Sequence, residues 1–259
     1  MSRTYVITGE ASGIGRATAH ALRQQGHRVI GVDRSGAEIE VDLATMHGRA
    51  SLVDAVERAS GGVIDAVLAV AGVSDPTPLA VAVNYFGAVA TLEGLRPLLE
   101  RSAAPRAVAV CSMVAVYPGD DDLIAAMLGG DEPGAFDRAS VLMATPEGAT
   151  LIYRSAKHAL ARWVRRESVT QVWAGRGIAL NAIAPGVIET PMSAPRRDSD
   201  LGRAALAGRV PMPLNGYAPA AAPANLLVWL TSAENTHLCG QIIFVDGGAE
   251  ALIRGERAW

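Results

Sequence analysis

The stretch TGEASGIG, Thr8 to Gly15, follows a short apolar run, TYVIT (Thr4 to Thr8), and opens a helix-like segment from Ile14 to Gln25. Such a turn needs glycine for distinct reasons. One glycine makes the tight turn, one lets the backbone approach a pyrophosphate, and one lets the helix pack closely on the strand. The helix starting near Ile14 then offers unpaired N–H groups and the positive end of its dipole to an anion. Gly9, Ser12, Gly13, Ile14 and Gly15 are the expected phosphate-side contacts of a bound dinucleotide.

The second apolar run, HRVIGVD, ends at Asp33. A carboxylate at the end of this strand accepts hydrogen bonds from both ribose hydroxyls of NAD and repels a 2′-phosphate. Arg34 follows directly and is placed to meet such a phosphate. The acid holds the strand-end position, so NAD is expected over NADP.

Outward from this point the chain alternates. The runs EIEVDL, IDAVLAVAG, RAVAVCS, IALNAIAPG and QIIFVDGG alternate with helix-like segments over 47–59, 84–101, 151–174 and 219–232. Several runs are apolar without strict alternation, as strands covered on both faces are. The expected fold is an α/β Rossmann fold, a doubly wound parallel sheet of about seven strands, with ligands above the strands' carboxyl ends. No repeat, linker or low-complexity segment divides residues 1–259, which read as a single domain.

Composition narrows the function classes. A net charge of −3 gives no electrostatic case for nucleic acid or an anionic membrane. Cys111 and Cys239 lack metal-ligand spacing and are expected as buried free thiols; the five histidines form no ligand motif, so no metal is expected. With no signal peptide and no apolar run of spanning length, the expectation is a cytoplasmic protein.

YRSAK, Tyr153 to Lys157, sets a phenol and an ammonium one helical turn apart on one face. A tyrosine's ordinary pKa, about 10, is too high for an efficient base near neutrality. A nearby ammonium stabilises the phenolate and brings that value down. Ser112, ending RAVAVCS, can donate to a carbonyl oxygen or accept from an alcohol, and Asn84 is read as a helix start, where capping is its ordinary role.

Together TGEASGIG and YRSAK resemble the signatures of the short-chain dehydrogenase/reductase family, a TGxxxGxG turn and a YxxxK helix. The resemblance spans nearly the whole chain and implies reversible alcohol–carbonyl oxidoreduction, with Ser112, Tyr153, Lys157 and Asn84 as the catalytic set. It also implies that Lys157 holds the nicotinamide ribose and that Asn84 has a structural and proton-relay role. Asp42 and Leu43 match the pair that contacts adenine. Ala71 and Gly72 belong to the motif usually written NNAG, whose asparagines are replaced here by Ala69 and Val70. Pro185, Gly186, Ile188 and Thr190 match the segment facing the carboxamide end of the nicotinamide.

Tyr153 follows Ser112 by 41 positions, far more than in most members. In this spacing, and in GHRVIGVDR, VNYFGA, IAPGVIETP and DGGAEALIR, the chain resembles a subset acting on hydroxysteroids and, less closely, aryl alcohols. The extra segment, 115–150, contains two short helix-like pieces, Leu123 to Leu128 and Ala135 to Met143. It is expected at the mouth of the site, with Met127, Leu128, Phe136, Leu142 and Met143 either lining a pocket for a bulky apolar alcohol or ketone, or packing the insert onto the domain. It also lies near helices through which many members form tetramers, so a homodimer through the last helix and QIIFVDGG is expected, with a tetramer as the alternative. A non-catalytic NAD-binding sensor and a cofactor-recycling epimerase or dehydratase are the competing readings. The first has no need of all four catalytic residues, and the second usually carries a larger carboxyl-terminal domain.

Overall fold

The computed structural model describes residues 2–256. Seven parallel strands form one sheet: β1 (Thr4–Thr8), β2 (Arg28–Asp33), β3 (Ile39–Glu40), β4 (Ala66–Ala69), β5 (Arg106–Val110), β6 (Ala179–Pro185) and, after a small pair β7 (Ile188–Glu189) and β8 (Ala218–Pro219), the final strand β9 (Ile242–Val245). The order β3-β2-β1-β4-β5-β6-β9 reverses direction at β1. That reversal opens a crevice beyond the carboxyl ends of β1 and β4, the switch point of a doubly wound sheet. β4 and β5 are buried at every position, which is why their sequences show no alternation.

Helices cover both faces: α1 (Gly13–Gln24), α2 (Met46–Ser60), α3 (Pro78–Val81), α4 (Ala88–Leu99), α5 (Asp121–Gly129), α6 (Glu132–Leu142), α7 (Pro146–Glu167), α8 (Ala194–Arg197), α9 (Asp200–Arg209), α10 (Ala221–Leu230) and α11 (Ala249–Arg254). α3 and α4 are one continuous helix joined by a π turn over Ala82–Gly87. Asn84 therefore does not cap a helix start, because the helix begins six residues earlier at Pro78, where a proline has no N–H to lose. By length and composition this helix, Pro78–Leu99, would pass for a membrane span, with mean hydropathy 1.3. Its apolar character is that of a core helix: Leu92, Leu95 and Leu99 are completely buried.

The catalytic-helix candidate starts at Pro146, five residues before the expected Leu151, and ends at Glu167, where the expected segment ran on to Ala174. Pro133 and Pro146 both sit in the first turn of a helix, so they begin α6 and α7. The preceding Asp131 and Thr145 side chains accept hydrogen bonds from Gly134 N (3.0 Å) and Gly148 N (3.1 Å). Among the described residues both cysteines are free, but only Cys111 is buried; Cys239 is half-buried and donates to Ser168 O at 3.3 Å.

The insert's helices α5 and α6 pack onto α7 and α3, while Val116 and Tyr117 ahead of them pack with Leu206 and Val210. Leu123, Ile124, Met127, Ala135 and Ala139 are buried in the main core with Ile152, Ala156 and Leu160 of α7. Phe136 stacks edge-on against Phe86 at 6.3 Å, and Glu132 accepts two hydrogen bonds from the nearly buried Arg49 of α2 (2.7 and 2.9 Å). Of the five residues expected as alternative pocket lining, Met127 and Leu142 are core, Leu128 and Phe136 pack partly buried against it, and Met143 is exposed.

Candidate active site

A cleft of about 400 Å³ lies above the carboxyl ends of β1, β2, β4, β5 and β6. Gly9, Ser12, Gly13, Ile14, Gly15, Asp33, Arg34, Asp42, Leu43, Ala71, Gly72, Ser112, Tyr153, Lys157, Pro185, Gly186, Ile188 and Thr190 all line it. Asn84 is the one expected site residue that does not.

The phosphate end is built as the glycine spacing demands. Gly9 and Gly13 hold φ of +75° and +53°, which residues with a Cβ rarely adopt. A Cβ on Gly15 would lie 2.1 Å from Gly9 O, so that helix and turn close only around glycine. Ser12 precedes α1 without capping it, leaving the first-turn N–H groups to the cleft. At the end of β2, Asp33 accepts hydrogen bonds from Ala11 N (3.0 Å) and Arg34 N (2.7 Å), which pins its carboxylate beside the turn. These residues fit a dinucleotide: an uncapped helix start for phosphate, a carboxylate for ribose, and a turn packed so closely that its glycines leave no room for a Cβ.

Replacing the NNAG asparagines raised the question of what braces β4 to β1. Thr8 does so, its hydroxyl accepting from Val70 N and Ala71 N, both at 3.1 Å. Asn84, fully buried in the π turn, accepts from Val73 N and donates to Val73 O, both at 2.9 Å. Gly72 is wedged between: a Cβ there would lie 3.0 Å from Asn84 Oδ1 and 3.5 Å from Lys157 Nζ. The π turn sets Asn84 behind the loop where Tyr153 and Lys157 meet the cleft.

At the other end, Tyr153 and Lys157 share the inner face of α7, with the Lys157 ammonium 5.9 Å from the Tyr153 ring centre. Lys157 is buried and donates to Val110 O at 2.8 Å. Burial brings its pKa down to about 8. Burial also pushes the Tyr153 phenol above its ordinary value, opposed by its hydrogen bond with Ser112 and by the positive charge of Arg196. Desolvation of the phenolate is the largest of these effects, and the groups that oppose it are Ser112 and Arg196. Ser112 is buried just beyond β5, its hydroxyl accepting from Val114 N at 3.4 Å.

Sequence reading missed the far wall. Met192, Arg196, Leu206 and Val210, from α8, α9 and the residues flanking them, line the cleft, whereas no residue of 115–150 does. Their signal in the sequence was indirect, in the long stretch between Thr190 and α10 that neither the sheet nor the dinucleotide uses.

A Rossmann sheet whose switch-point cleft joins a glycine phosphate turn to a Ser–Tyr–Lys cluster defines a nicotinamide-dependent oxidoreductase acting on hydroxyl or carbonyl groups. Residues 137–250 match the family described as Enoyl-(Acyl carrier protein) reductase. The chain is 34% identical to the 3-alpha-hydroxysteroid dehydrogenase/carbonyl reductase of Comamonas testosteroni, over 96% of this chain and 97% of that protein. It is 29% identical to the cis-4-hydroxycyclohexanecarboxylate dehydrogenase of Sinomonas cyclohexanicum, over 96% and 97%. The solved structure of the 3-alpha-hydroxysteroid dehydrogenase from Pseudomonas sp. B-0831 complexed with NADH superposes with a TM-score of 0.89 at 38% identity, covering 98% of this chain and 99% of that one. The chain belongs to the short-chain dehydrogenase/reductase family.

Proposed function

We propose that this protein interconverts a secondary alcohol and a ketone on a bulky apolar ring system such as a hydroxysteroid, with NAD preferred. The observation that carries the reading is the meeting of Tyr153, Ser112 and Lys157 at one end of a cleft walled by Val73, Leu79, Met192, Leu206 and Val210. A bound nicotinamide supplies the hydride acceptor or donor. Tyr153 then takes the proton from the alcohol oxygen, or returns it to the carbonyl oxygen. Ser112 orients that oxygen through its hydroxyl and, by hydrogen-bonding the phenol, eases its ionisation. Lys157 holds positive charge under the phenol's ring, and Asn84 fixes the Val73 loop that borders both.

NAD over NADP is supported by Asp33, whose carboxylate stands where a 2′-phosphate would be repelled, and by the NADH held by the Pseudomonas relative. The names of the two curated relatives point to cyclic alcohols carried by a steroid or a cyclohexane. We propose a dimer as the assembly and the cytoplasm as the location. Following NADH absorbance against hydroxysteroids, aryl alcohols and cyclic secondary alcohols tests the reading. Turnover of the ring alcohols is expected, and Tyr153→Phe is expected to keep NADH binding while losing most of it. Equal turnover by parent and variant overturns the assignment of Tyr153.

A further inference from the structure

The cleft's charged side chains divide sharply. Asp33, Arg34 and Asp42 belong to the nucleoside end, and Lys157 is buried with its ammonium engaged by Val110 O. On the substrate side one charge remains, Arg196 of α8, exposed at the mouth of a cleft walled by Val73, Leu79, Val114, Met192, Leu206 and Val210.

Its neighbour Arg197 shows what an arginine with a structural task looks like on the same helix. Arg197 donates to Ser193 Oγ at 3.0 Å and pairs with Glu189 at 3.9 Å. Arg196 has no carboxylate within ion-pairing distance among the described residues; its side chain donates to Ser74 O across the cleft mouth at 3.4 Å, the long limit of a hydrogen bond. A guanidinium has five donors in a planar fork that matches a carboxylate bidentately. One weak carbonyl contact leaves most of them free, in a cleft with no other charged group on its substrate side. The charge reaches the reacting centre too, since it draws the Tyr153 phenol downward.

From this geometry we infer that Arg196 anchors a carboxylate on the substrate, at the end of the ring system remote from the carbon that is oxidised or reduced. The substrate class is then an amphipathic hydroxy or oxo acid: an apolar ring body filling the cleft, a carbinol or carbonyl at Tyr153 and Ser112, and an anion at the mouth. This rests on the alcohol–carbonyl reading above and narrows it. Arg196 is a specificity-determining residue that leaves the chemical step to Tyr153.

The test uses matched pairs: 4-hydroxycyclohexanecarboxylate and its methyl ester, and a 3-hydroxysteroid with a side-chain carboxylate and its methyl ester, each oxidised with NAD by the parent, Arg196→Gln and Arg196→Lys. Losing a charge-assisted bidentate contact is expected to raise KM for the acids about ten-fold in Arg196→Gln. The lost charge also acts on the Tyr153 phenol, so any change in kcat is expected to be shared by acid and ester, while the KM of the esters stays near the parent's. Arg196→Lys is expected to recover part of the acid preference. If the KM of acid and ester change together, Arg196 is only a strap to Ser74 and the inference falls. It falls also if neither changes. A calorimetric titration of the enzyme–NADH complex with cyclohexanecarboxylate and with the 3-deoxy steroid acid separates the two readings. Binding weakened in Arg196→Gln without oxidation of any alcohol supports the anchor and overturns the alcohol–carbonyl reading. Fast oxidation of neutral alcohols with no acid preference keeps that reading and overturns the anchor.

Discussion

Burial acts on Tyr153 and Lys157 in opposite electrical senses, raising the phenol and lowering the ammonium, so that it favours the neutral form of each. Carbonyl reduction needs the protonated phenol, which is abundant at neutral pH. Alcohol oxidation needs a proton acceptor, so its kcat/KM is expected to climb toward alkaline pH. Ser112→Ala removes a hydrogen bond that eases ionisation and is expected to move that limb to higher pH; a pH–rate profile identical to the parent's would refute the Ser112–Tyr153 coupling. Lys157 gives an independent test. Its folded pKa of about 8 lies below the unfolded value of 10.5, so between these pH values the unfolded chain binds more protons and stability rises with pH. Between pH 8 and pH 10 the rise is on the order of 2 kcal/mol. Lys157→Met is expected to lack it, as read from urea midpoints at pH 8 and pH 10. The chemistry-bearing residues were legible because glycine at φ > 0 and Tyr–Lys at one helical turn are local requirements. The phenol's direction was not, because desolvation depends on what the fold packs around it.

At the scale of elements, three helices begin earlier than the expected Asn84, Ala135 and Leu151 for one physical reason. Proline breaks a helix interior but suits its first turn, and Pro78, Pro133 and Pro146 all occupy starts. The insert's apolar residues were visible in sequence, but their direction was not, since periodicity shows a face and leaves its partner unnamed. α5 and α6 turn that face to α7 and α3. Leu123→Ala is therefore expected to cost about 2–5 kcal/mol of stability, with the ranking of substrates unchanged. Met192→Ala, on the exposed cleft wall, is expected to do the reverse: a shifted substrate ranking with a melting temperature near the parent's. A changed preference in Leu123→Ala would return the insert to the substrate site.

For the whole molecule, the sheet's two edges are treated differently. β3 closes one edge with only two residues, a short edge that offers little to pair with. β9 closes the other with four apolar residues, IIFV, each only half-buried although the strands inside the sheet are sealed. α10, packed on the neighbouring β6, leaves Trp229 41% exposed. Incompletely covered apolar residues along an edge strand mark a surface that a second copy can cover. The insert meanwhile covers part of α7 and α3. These two features together argue for one interface per chain, hence a two-fold dimer through the β9 edge. Light scattering is expected to give the mass of two chains. Trp229→Glu, which sets a charge on that face, is expected to shift the population to single chains while the NADH affinity of the remaining fold is retained. A mass of four chains overturns the dimer, because it requires a second interface. A parent that runs as one chain at every concentration leaves the exposed strand without a partner copy and overturns the interface as well.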